Sequence, residues 1–342
     1  MDQFATRRDR GAFFRETSER MDLSAVLVEK DFWVCWALKQ LYALDGIQPP
    51  LFRGGTSLSK CFRLIERFSE DVDLTLDPAD LELGDPPAEE TKNQRNKRIK
   101  RQRKTCEAKV HGEVRDLLDG QFRNQIGEPS DWSIEADTSK NDPTLIFTYP
   151  PGLESGEYAS GGYVRPQVAL EFGVRGARAP MEDSAVQPFV ADFFRDDFAE
   201  PTARVVAISP ERTFWEKVLL LYVLNHRDHD DKLGERCARQ SRHLYDVAMI
   251  ARDTRGEAAI RNTRLLTDVL EHTREHFLVA GVDYDAFGPT TLGLSPQGEV
   301  RDELRKDYAA MEEMLPDDTP RFDELMEELE AVEARTAEAA SG

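Results

Sequence analysis

An alternation of aspartate and apolar residues at 71–76 constrains the fold of this 342-residue chain more than any other segment. In the order Asp-Val-Asp-Leu-Thr-Leu, the two carboxylates stand two positions apart and apolar residues fill the positions between and after them. Successive side chains of a β-strand point to opposite faces, so the pattern predicts a strand with Asp71 and Asp73 on one face. Two carboxylates on one face suit a divalent cation.

A glycine pair upstream predicts a place for an anion. Gly54 and Gly55 follow a short apolar run and precede a helix-like stretch that begins with Thr56 and Ser57. A chain that turns through glycine into a helix leaves free main-chain N–H groups at the turn. We therefore predict a phosphate-binding turn, with the Thr56 and Ser57 hydroxyls and Ser69 as further nucleotide ligands.

A third carboxylate is predicted from the strand-like stretch 163–174. Glu171 lies on the face opposite the apolar residues of this stretch, between the small residues Ala169 and Gly173. The small neighbours leave space for a ligand. Glu171 is therefore either an ordinary solvent-facing strand residue or a third metal ligand, and the upstream motifs favour the ligand.

Length and turn signals predict two domains. With 342 residues, 40% of them hydrophobic, the chain can form one large domain or two ordinary ones. Besides the strand-like stretch 163–174, two further strand-like pieces lie at 132–136 and 144–149. Everything after Pro210 has a helical pattern, so we predict an α+β domain with a mixed sheet at 1–208 and an α-helical C-terminal domain at 209–342.

Positive charge is concentrated in one segment of an acidic chain. The formal net charge is −20, yet eight residues between Lys92 and Lys104 are Lys or Arg and none is acidic. The apolar spacing that follows predicts a helical arm at 92–118. The arm is either a solvated helix face or a surface for RNA phosphates. The second interpretation assigns RNA binding to Lys97, Arg98, Lys100, Arg101, Arg103 and Lys104.

Cysteine spacing and hydropathy suggest a compartment. The four cysteines are far apart and show no C-x-x-C spacing, which predicts reduced thiols without a disulfide framework or zinc site. The N-terminus has no apolar signal core, and the longest apolar run, 218–224, is too short to span a bilayer. We expect a cytoplasmic protein with no membrane partner.

Charged residues elsewhere allow ordinary and functional interpretations. The triplet 29–31, Glu-Lys-Asp, predicts a structural ion network in the first long helix. Lys217 lies in the apolar stretch 213–224, where it either extends to solvent or binds a triphosphate. Arg242 and Asp246 are four residues apart, so a surface ion pair is the simple explanation.

Four blocks together resemble the AbiEii-like nucleotidyltransferase toxins, a group that includes the MenT toxins. The blocks are Arg53-Gly54-Gly55-Thr56-Ser57, Arg67-Phe68-Ser69-Glu70-Asp71-Val72-Asp73, Pro210-Glu211-Arg212-Thr213-Phe214-Trp215-Glu216-Lys217 and Arg242-His243-Leu244-Tyr245-Asp246. In motif order the resemblance covers roughly residues 25 to 255. It implies a polymerase-β-like nucleotidyltransferase core with a helical C-terminal domain.

The resemblance also implies roles for particular residues. Gly54, Gly55 and Ser57 would bind the triphosphate of an NTP, and Asp71 and Asp73 would bind Mg²⁺ or Mn²⁺ and act in catalysis. Lys217 and Asp246 would complete the catalytic site, and Arg242 would contact the nucleotide. Glu171 would be the third metal ligand, at a position where an Asp is also frequent in the family.

Family members are the toxic halves of toxin–antitoxin or abortive-infection modules, and some transfer nucleotides to the 3′ acceptor end of tRNA. The resemblance therefore implies an NTP, tRNA or another RNA, and a cognate antitoxin as partners. Two alternatives stay open. A small-molecule nucleotidyltransferase of the antibiotic-modifying type has no use for the basic arm. A non-catalytic nucleotide-binding module has no activity to lose when Asp73 is replaced by alanine.

Overall fold

The computed structural model describes most of the chain. The described residues are 1–69, 71–83, 87, 89–160, 165–174, 179–227, 232–311, 315 and 319–341. Seven strands lie among them: β1 Leu51–Arg53, β2 Asp71–Leu76, β3 Ser133–Asp137, β4 Thr144–Thr148, β5 Gln167–Val174, β6 Met181–Val186 and β7 Ala203–Ile208. One sheet combined with many helices confirms the predicted α+β class.

Helices precede, interrupt and follow the strands. The first six are α1 Asp2–Ala5, α2 Arg10–Met21, α3 Ala25–Tyr42, α4 Gly54–Lys60, α5 Lys92–Lys109 and α6 Arg115–Ile126, with a π-helical turn, Val110–Val114, joining the last two. Next are α7 Ser155–Ser160 and α8 Val190–Phe193, and short 3₁₀ turns at Pro78–Leu81 and Arg195–Asp197. The remaining helices are α9 Pro210–His226, α10 Leu233–Cys237, α11 Ser241–Ala251, α12 Thr254–Arg261, α13 Thr263–His276, α14 Gly298–Ala310 and α15 Phe322–Ser341.

The seven strands form one mixed sheet in the order β3-β4-β5-β2-β1-β7-β6. The strand β2 is parallel to β5 and antiparallel to β1, which is parallel to β7. On the other side, β5 pairs antiparallel with β4, and β4 pairs antiparallel with β3. The two strands that carry the predicted carboxylates are therefore direct neighbours in the interior of the sheet.

One face of these central strands is buried in an apolar core. Alternate residues of β2 from 72 to 76, and of β5 from 168 to 172, are at most 2% exposed. Phe147 of β4 is paired with Val168 and so lies on the same face. Its ring centroid is 4.6 Å from that of Phe122 in α6 and 5.6 Å from that of Trp36 in α3. Burial of these rings stabilises the sheet on this side and leaves the opposite face for polar residues.

The helical part of the chain begins at Pro210 for a local reason. Ser209 is the N-cap of α9, and its hydroxyl accepts a hydrogen bond from the main-chain N–H of Arg212 at 3.3 Å. Pro210 occupies the first helical position, where its missing N–H has no cost. The described residues from α9 to the end of α15 contain helices and connections but no strand.

Contacts divide the chain into two compact units. The first comprises Met1–Cys61, Ser69–Gly176 and Met181–Ala207. The second comprises Phe62–Phe68, Ala177–Pro180 and Ile208–Gly342. The division 1–208 and 209–342 stays a prediction about domains. In the described ranges, no helix combines the length and the apolar composition that a bilayer crossing requires.

Some sequence-based expectations need adjustment. The predicted strand 163–174 begins at Gln167 in the structure, and Tyr163 and Val164 lie outside the described residues. The segment between β4 and β5 carries the short helix α7. The strands β6 and β7 have no counterpart in the sequence-based prediction.

Candidate active site

Three carboxylates lie on the polar face of the two central strands. Asp71 and Asp73 alternate with buried residues along β2, as the sequence pattern predicts. In register, Asp73 is paired with Glu171 of β5, and Asp71 is paired with Ala169. Paired residues of neighbouring strands project to the same side of a sheet, so Asp71, Asp73 and Glu171 share one face.

The side chains of this face carry donor atoms of the type that binds a divalent cation. Burial raises the pKa of Glu171, and the negative charges of Asp71 and, to a smaller degree, Asp73 raise it further. Carboxylate oxygens are the donors that Mg²⁺ and Mn²⁺ prefer. Among the described residues, however, no group of three or more His, Cys, Asp or Glu side chains is close enough together to hold a metal ion. The role of these residues as metal ligands stays a prediction.

Gly54 lies directly against one of the carboxylates. A Cβ atom on Gly54 would be 2.0 Å from Oδ2 of Asp73, and the φ angle of Gly54 is +77°. Both the space and the backbone conformation therefore require glycine. The contact arises because Arg53, the last residue of β1, is paired with Asp73 in the sheet. The glycine turn and the β2 carboxylates, which are 15 or more residues apart in the chain, meet here.

The hydroxyl groups beside the glycine turn brace it against β2. The hydroxyl of Thr56 donates to the main-chain oxygen of Asp71 at 2.5 Å, and its Oγ1 lies 3.0 Å from Oγ of Ser69. The hydroxyl of Ser57 donates to the main-chain oxygen of Gly54 at 2.9 Å. Thr56 and Ser57 are both buried. The protons of these two hydroxyl groups bind main-chain acceptors. The contact of Thr56 and Ser57 with a triphosphate stays a prediction.

Lys140 reaches the same face, and no sequence pattern predicts it. Its Nζ atom lies 3.1 Å from Oε1 of Glu171. This hydrogen bond raises the pKa of Lys140, and the charge of Lys140 in turn opposes the rise in the pKa of Glu171. The contact depends on the register of β4 against β5, which pairs Thr144 with Glu171 and brings the turn before β4 close.

A buried ion pair anchors the helix that follows the glycine turn. Nζ of Lys60, the last residue of α4, lies 2.6 Å from Oδ1 of Asp31 in α3, and both side chains are almost fully buried. The main-chain N–H of Phe189 donates to the other oxygen of Asp31 at 2.7 Å. The ring centroid of Phe189 is 3.8 Å from the Lys60 ammonium. These contacts confirm a structural ion network at the Asp31 end of the triplet 29–31.

The basic segment is a helix with one strongly cationic face. Four of its cations are spaced three or four residues apart and therefore lie on one side of α5. All four are exposed, whereas Gln102 and Cys106 are buried. We call this face the basic stripe, and it consists of Lys97, Lys100, Arg101 and Lys104.

Arg98, one of the residues predicted to bind RNA, forms an ion pair within the protein. Its guanidinium forms a two-pronged ion pair with Glu90, with Nε 3.0 Å from Oε1 and Nη2 3.0 Å from Oε2. Both side chains are mostly buried, so the arginine donors are directed at a carboxylate inside the protein. Arg103 is exposed but lies outside the basic stripe. The roles of Arg98, Arg103 and the basic stripe in RNA binding stay predictions.

In the second unit, Asp246 binds two cations in a buried cluster. Arg67 Nε and Nη2 donate to Oδ1 and Oδ2 of Asp246 at 2.7 and 2.8 Å. Lys217 Nζ lies 2.8 Å from Oδ2. Asp246 is fully buried and Lys217 is 6% exposed. Asp246 therefore does not form a surface ion pair with Arg242, and the side chain of Lys217 does not extend to solvent. Arg67 belongs to one of the four sequence blocks, but its partner Asp246 lies 179 residues away in the chain.

These contacts set the protonation states of the cluster. Burial acts to raise the pKa of Asp246, but the charges and hydrogen bonds of Arg67 and Lys217 outweigh it and hold this pKa well below its usual range. Burial lowers the pKa of Lys217, an effect that Asp246 opposes. Burial and the charge of Lys217 also lower the pKa of His243, whose Nδ1 lies 3.3 Å from Lys217 Nζ. His243 is therefore neutral at pH 7.

Several basic side chains surround Asp246 in this cluster. Arg67 and Lys217 both contact Asp246, and the charge of Arg242 also acts on Lys217 and His243. Nε of Arg242 is buried, with no hydrogen-bond partner in the part of the chain that the structure describes. Clustered basic side chains and an unsatisfied donor favour the binding of an anion.

Comparison with known proteins places these observations in a family. The family described as nucleotidyl transferase AbiEii toxin, type IV toxin–antitoxin system, matches residues 36–328. No curated protein sequence matches the chain. Among solved structures, the chain is similar to MenT4, a nucleotidyltransferase toxin from Mycobacterium tuberculosis H37Rv, with 18% identity over 96% of this chain and 98% of that one and a TM-score of 0.41. Because the family match spans most of the chain, including the glycine turn and the three carboxylates, this protein belongs to the AbiEii nucleotidyltransferase toxin family of type IV toxin–antitoxin systems.

Proposed function

We propose that this protein transfers a nucleotide from an NTP to RNA, with tRNA as the first acceptor to test, in a reaction that requires Mg²⁺ or Mn²⁺. The observation that carries the proposal is the contact of Gly54 with Asp73, with Glu171 paired beside it. This contact joins a turn suited to phosphate with carboxylates suited to a cation, in a member of a nucleotidyltransferase family. We further propose that the mixed sheet is a polymerase-β-like core.

Asp71, Asp73 and Glu171 are the residues that would hold the cation. When bound, a divalent cation neutralises negative charge on the attacking and leaving oxygens of a phosphoryl group. The carboxylates would orient the acceptor hydroxyl toward the α-phosphorus, where a new P–O bond forms as the bond to pyrophosphate breaks. Catalysis of this kind depends mainly on positioning and charge neutralisation.

The nucleotide would be bound by main-chain and cationic groups. In the first unit, the main-chain N–H groups of Gly54 and Gly55 are the proposed phosphate donors, with Ser57 and Ser69 beside the turn. In the second unit, the buried donor of Arg242 without a described partner and the basic side chains around Asp246 support Lys217 and Arg242 as nucleotide ligands. Because both oxygens of Asp246 are engaged by cations, we propose that Asp246 positions Arg67 and Lys217.

The acceptor is proposed from the charge of α5. The basic stripe and Arg103 present exposed cations, and the phosphate backbone is the part of RNA that cations bind regardless of sequence. A toxin that modifies tRNA would act in the cytoplasm, where its substrates are. Its family is that of type IV toxin–antitoxin systems, so a cognate antitoxin is the proposed macromolecular partner, and a role in abortive infection is a further proposal.

The decisive experiment measures whether a label is transferred from the NTP to RNA. The protein is incubated with Mg²⁺, total cellular RNA and each α-labelled NTP in turn, and the products are separated by size. We expect label in an RNA fraction with wild type and none with Asp71→Ala or Asp73→Ala. Asp183→Ala, at an exposed aspartate of β6, is the matched control and should label RNA as wild type does.

Each outcome has a clear meaning for the proposal. No label in any macromolecule would reject the RNA acceptor. Label in a small molecule of a cell extract, with none in RNA, would support the antibiotic-type alternative. An activity that Asp73→Ala leaves intact would show that the carboxylate face is not the catalytic centre.

A further inference from the structure

A lysine outside the family blocks is ion-paired with one of the three carboxylates. Lys140 lies in the turn between β3 and β4, and its Nζ is 3.1 Å from Oε1 of Glu171. The Lys140 side chain is 48% exposed and the Glu171 side chain is 23% exposed. The ammonium also lies within electrostatic reach of Asp71 and Asp137. Lys140 is therefore a cation held at the carboxylate face by charge.

The surrounding structure fixes the turn that carries Lys140. Oδ1 of Asp137 accepts hydrogen bonds from the main-chain N–H of Ser139 at 2.9 Å and from its hydroxyl at 2.6 Å. On the other side of the turn, Thr144 begins β4 and is paired in register with Glu171. Hydrogen bonds to Asp137 thus fix one end of the turn, and strand pairing fixes the other. The side chain of Lys140 reaches from this turn to Glu171.

We propose that Lys140 is an internal counter-cation of the carboxylate face, which a divalent metal ion must displace from Glu171 in order to bind. This inference rests on the proposed function, because it assumes that Asp71, Asp73 and Glu171 hold the metal. An ammonium and a metal ion on the same carboxylate group of Glu171 lie close together and repel each other, so binding of the metal drives the lysine away. Lys140 thereby raises the concentration of free metal that the enzyme needs.

The size of the effect follows from the exposure of the pair. Partly exposed ion pairs contribute modestly, so loss of the lysine should tighten metal binding by about 3-fold to 10-fold. The exposed lysine stem allows the ammonium to move into solvent when a metal arrives. The competition is therefore reversible and requires no change in the main chain.

The test measures Mn²⁺ binding to the full-length protein without NTP or RNA, by the electron paramagnetic resonance signal of free Mn²⁺. Lys140→Met should lower the dissociation constant by about 3-fold to 10-fold relative to wild type. Lys140→Arg keeps a cation at this position and should bind Mn²⁺ no more tightly than wild type. Lys109→Met is the matched control, because Lys109 forms a surface ion pair with Glu113 at 3.0 Å and its loss changes the net charge equally.

The variants separate failure of this inference from failure of the proposed function. If Asp73→Asn abolishes Mn²⁺ binding while Lys140→Met matches Lys109→Met, the carboxylate face holds the metal and the counter-cation inference is wrong. Weaker Mn²⁺ binding by Lys140→Met would also overturn it, because a competitor cannot strengthen binding. If Asp71→Asn and Asp73→Asn both bind Mn²⁺ as wild type does, the metal site lies elsewhere and both proposals fall.

Discussion

Gly54 has no room for a side chain, and its backbone conformation disfavours one. We predict that Gly54→Ala lowers nucleotidyltransferase activity about 100-fold or more, because a methyl group 2.0 Å from Oδ2 of Asp73 must displace that carboxylate. Displacement of a reacting group by about 1 Å is enough for a loss of this size. The measurement is initial rate of label transfer to RNA, together with thermal unfolding to show that the variant is folded.

Gly46→Ala separates the two causes of this effect. Gly46 has a φ angle of +90°, but a Cβ atom there would meet nothing within 4 Å. It should therefore lose about 1 kcal/mol of stability from backbone strain and keep its activity. Equal activity losses in Gly54→Ala and Gly46→Ala would contradict the role that we assign to the Gly54–Asp73 contact.

The residue types in the candidate site are partly predictable. Asp71, Asp73 and Glu171 follow from alternation, because the two-residue period of a strand fixes which side chains share a face. Arg67 and Lys140 do not follow from any local pattern. Their partners lie 179 and 31 residues away, and only the packing of α11 and the register of β4 bring them together.

At the scale of the element, α5 concentrates the cations that we propose for RNA. Replacing all four residues of the basic stripe with glutamine should weaken RNA binding and lower the slope of log affinity against log salt by roughly 3. Filter binding of tRNA at several salt concentrations measures both quantities. The helix should still form, because the stripe lies opposite the buried residues Gln102 and Cys106.

A charge-matched variant controls for the change in net charge. Arg301, Arg305, Lys306 and Arg321 form exposed ion pairs in the second unit, and their replacement by glutamine removes the same four charges. This control should bind tRNA with the wild-type salt slope. Identical slopes in the stripe variant and wild type would show that the basic stripe is a solvated helix face.

Strands with clear apolar alternation are predictable, and edge strands are harder to predict. The strands predicted at 132–136, 144–149 and 163–174 agree with β3, β4 and β5 to within a few residues at each end. The strand β6 lies at the edge of the sheet, and its sequence Met-Glu-Asp-Ser-Ala-Val has little apolar character. An edge strand needs fewer buried side chains, so its sequence gives a weaker signal.

At the scale of the whole molecule, the helical unit includes a segment from the first half of the chain. Arg67, in the segment Phe62–Phe68, supplies the two-pronged partner of the buried Asp246. We predict that Arg67→Met lowers the free energy of unfolding by about 3–5 kcal/mol, because it removes one partner of a buried charge pair. Arg63→Met, at an exposed position of the same segment, should change it by less than about 0.5 kcal/mol.

Urea unfolding at several pH values tests this prediction. The pKa of Asp246 is lower in the folded state, so its stabilisation is complete above about pH 4 and is lost as the pH falls below that value. The difference between wild type and Arg67→Met should therefore shrink in acid. A difference that is small at pH 7, or that grows in acid, would contradict the role of Arg67.

The α+β class, the strand that carries Asp71 and Asp73, the glycine turn and the family are all predictable from the amino-acid sequence. These features depend on the period of side chains along a strand and on local backbone requirements, which a linear pattern records directly. Three contacts follow only from the folded chain: Gly54 touches Asp73, Lys140 pairs with Glu171, and Arg98 pairs with Glu90. These contacts depend on strand order, register and helix packing, which arise from the burial of apolar surface across the whole chain and leave no local mark in the sequence.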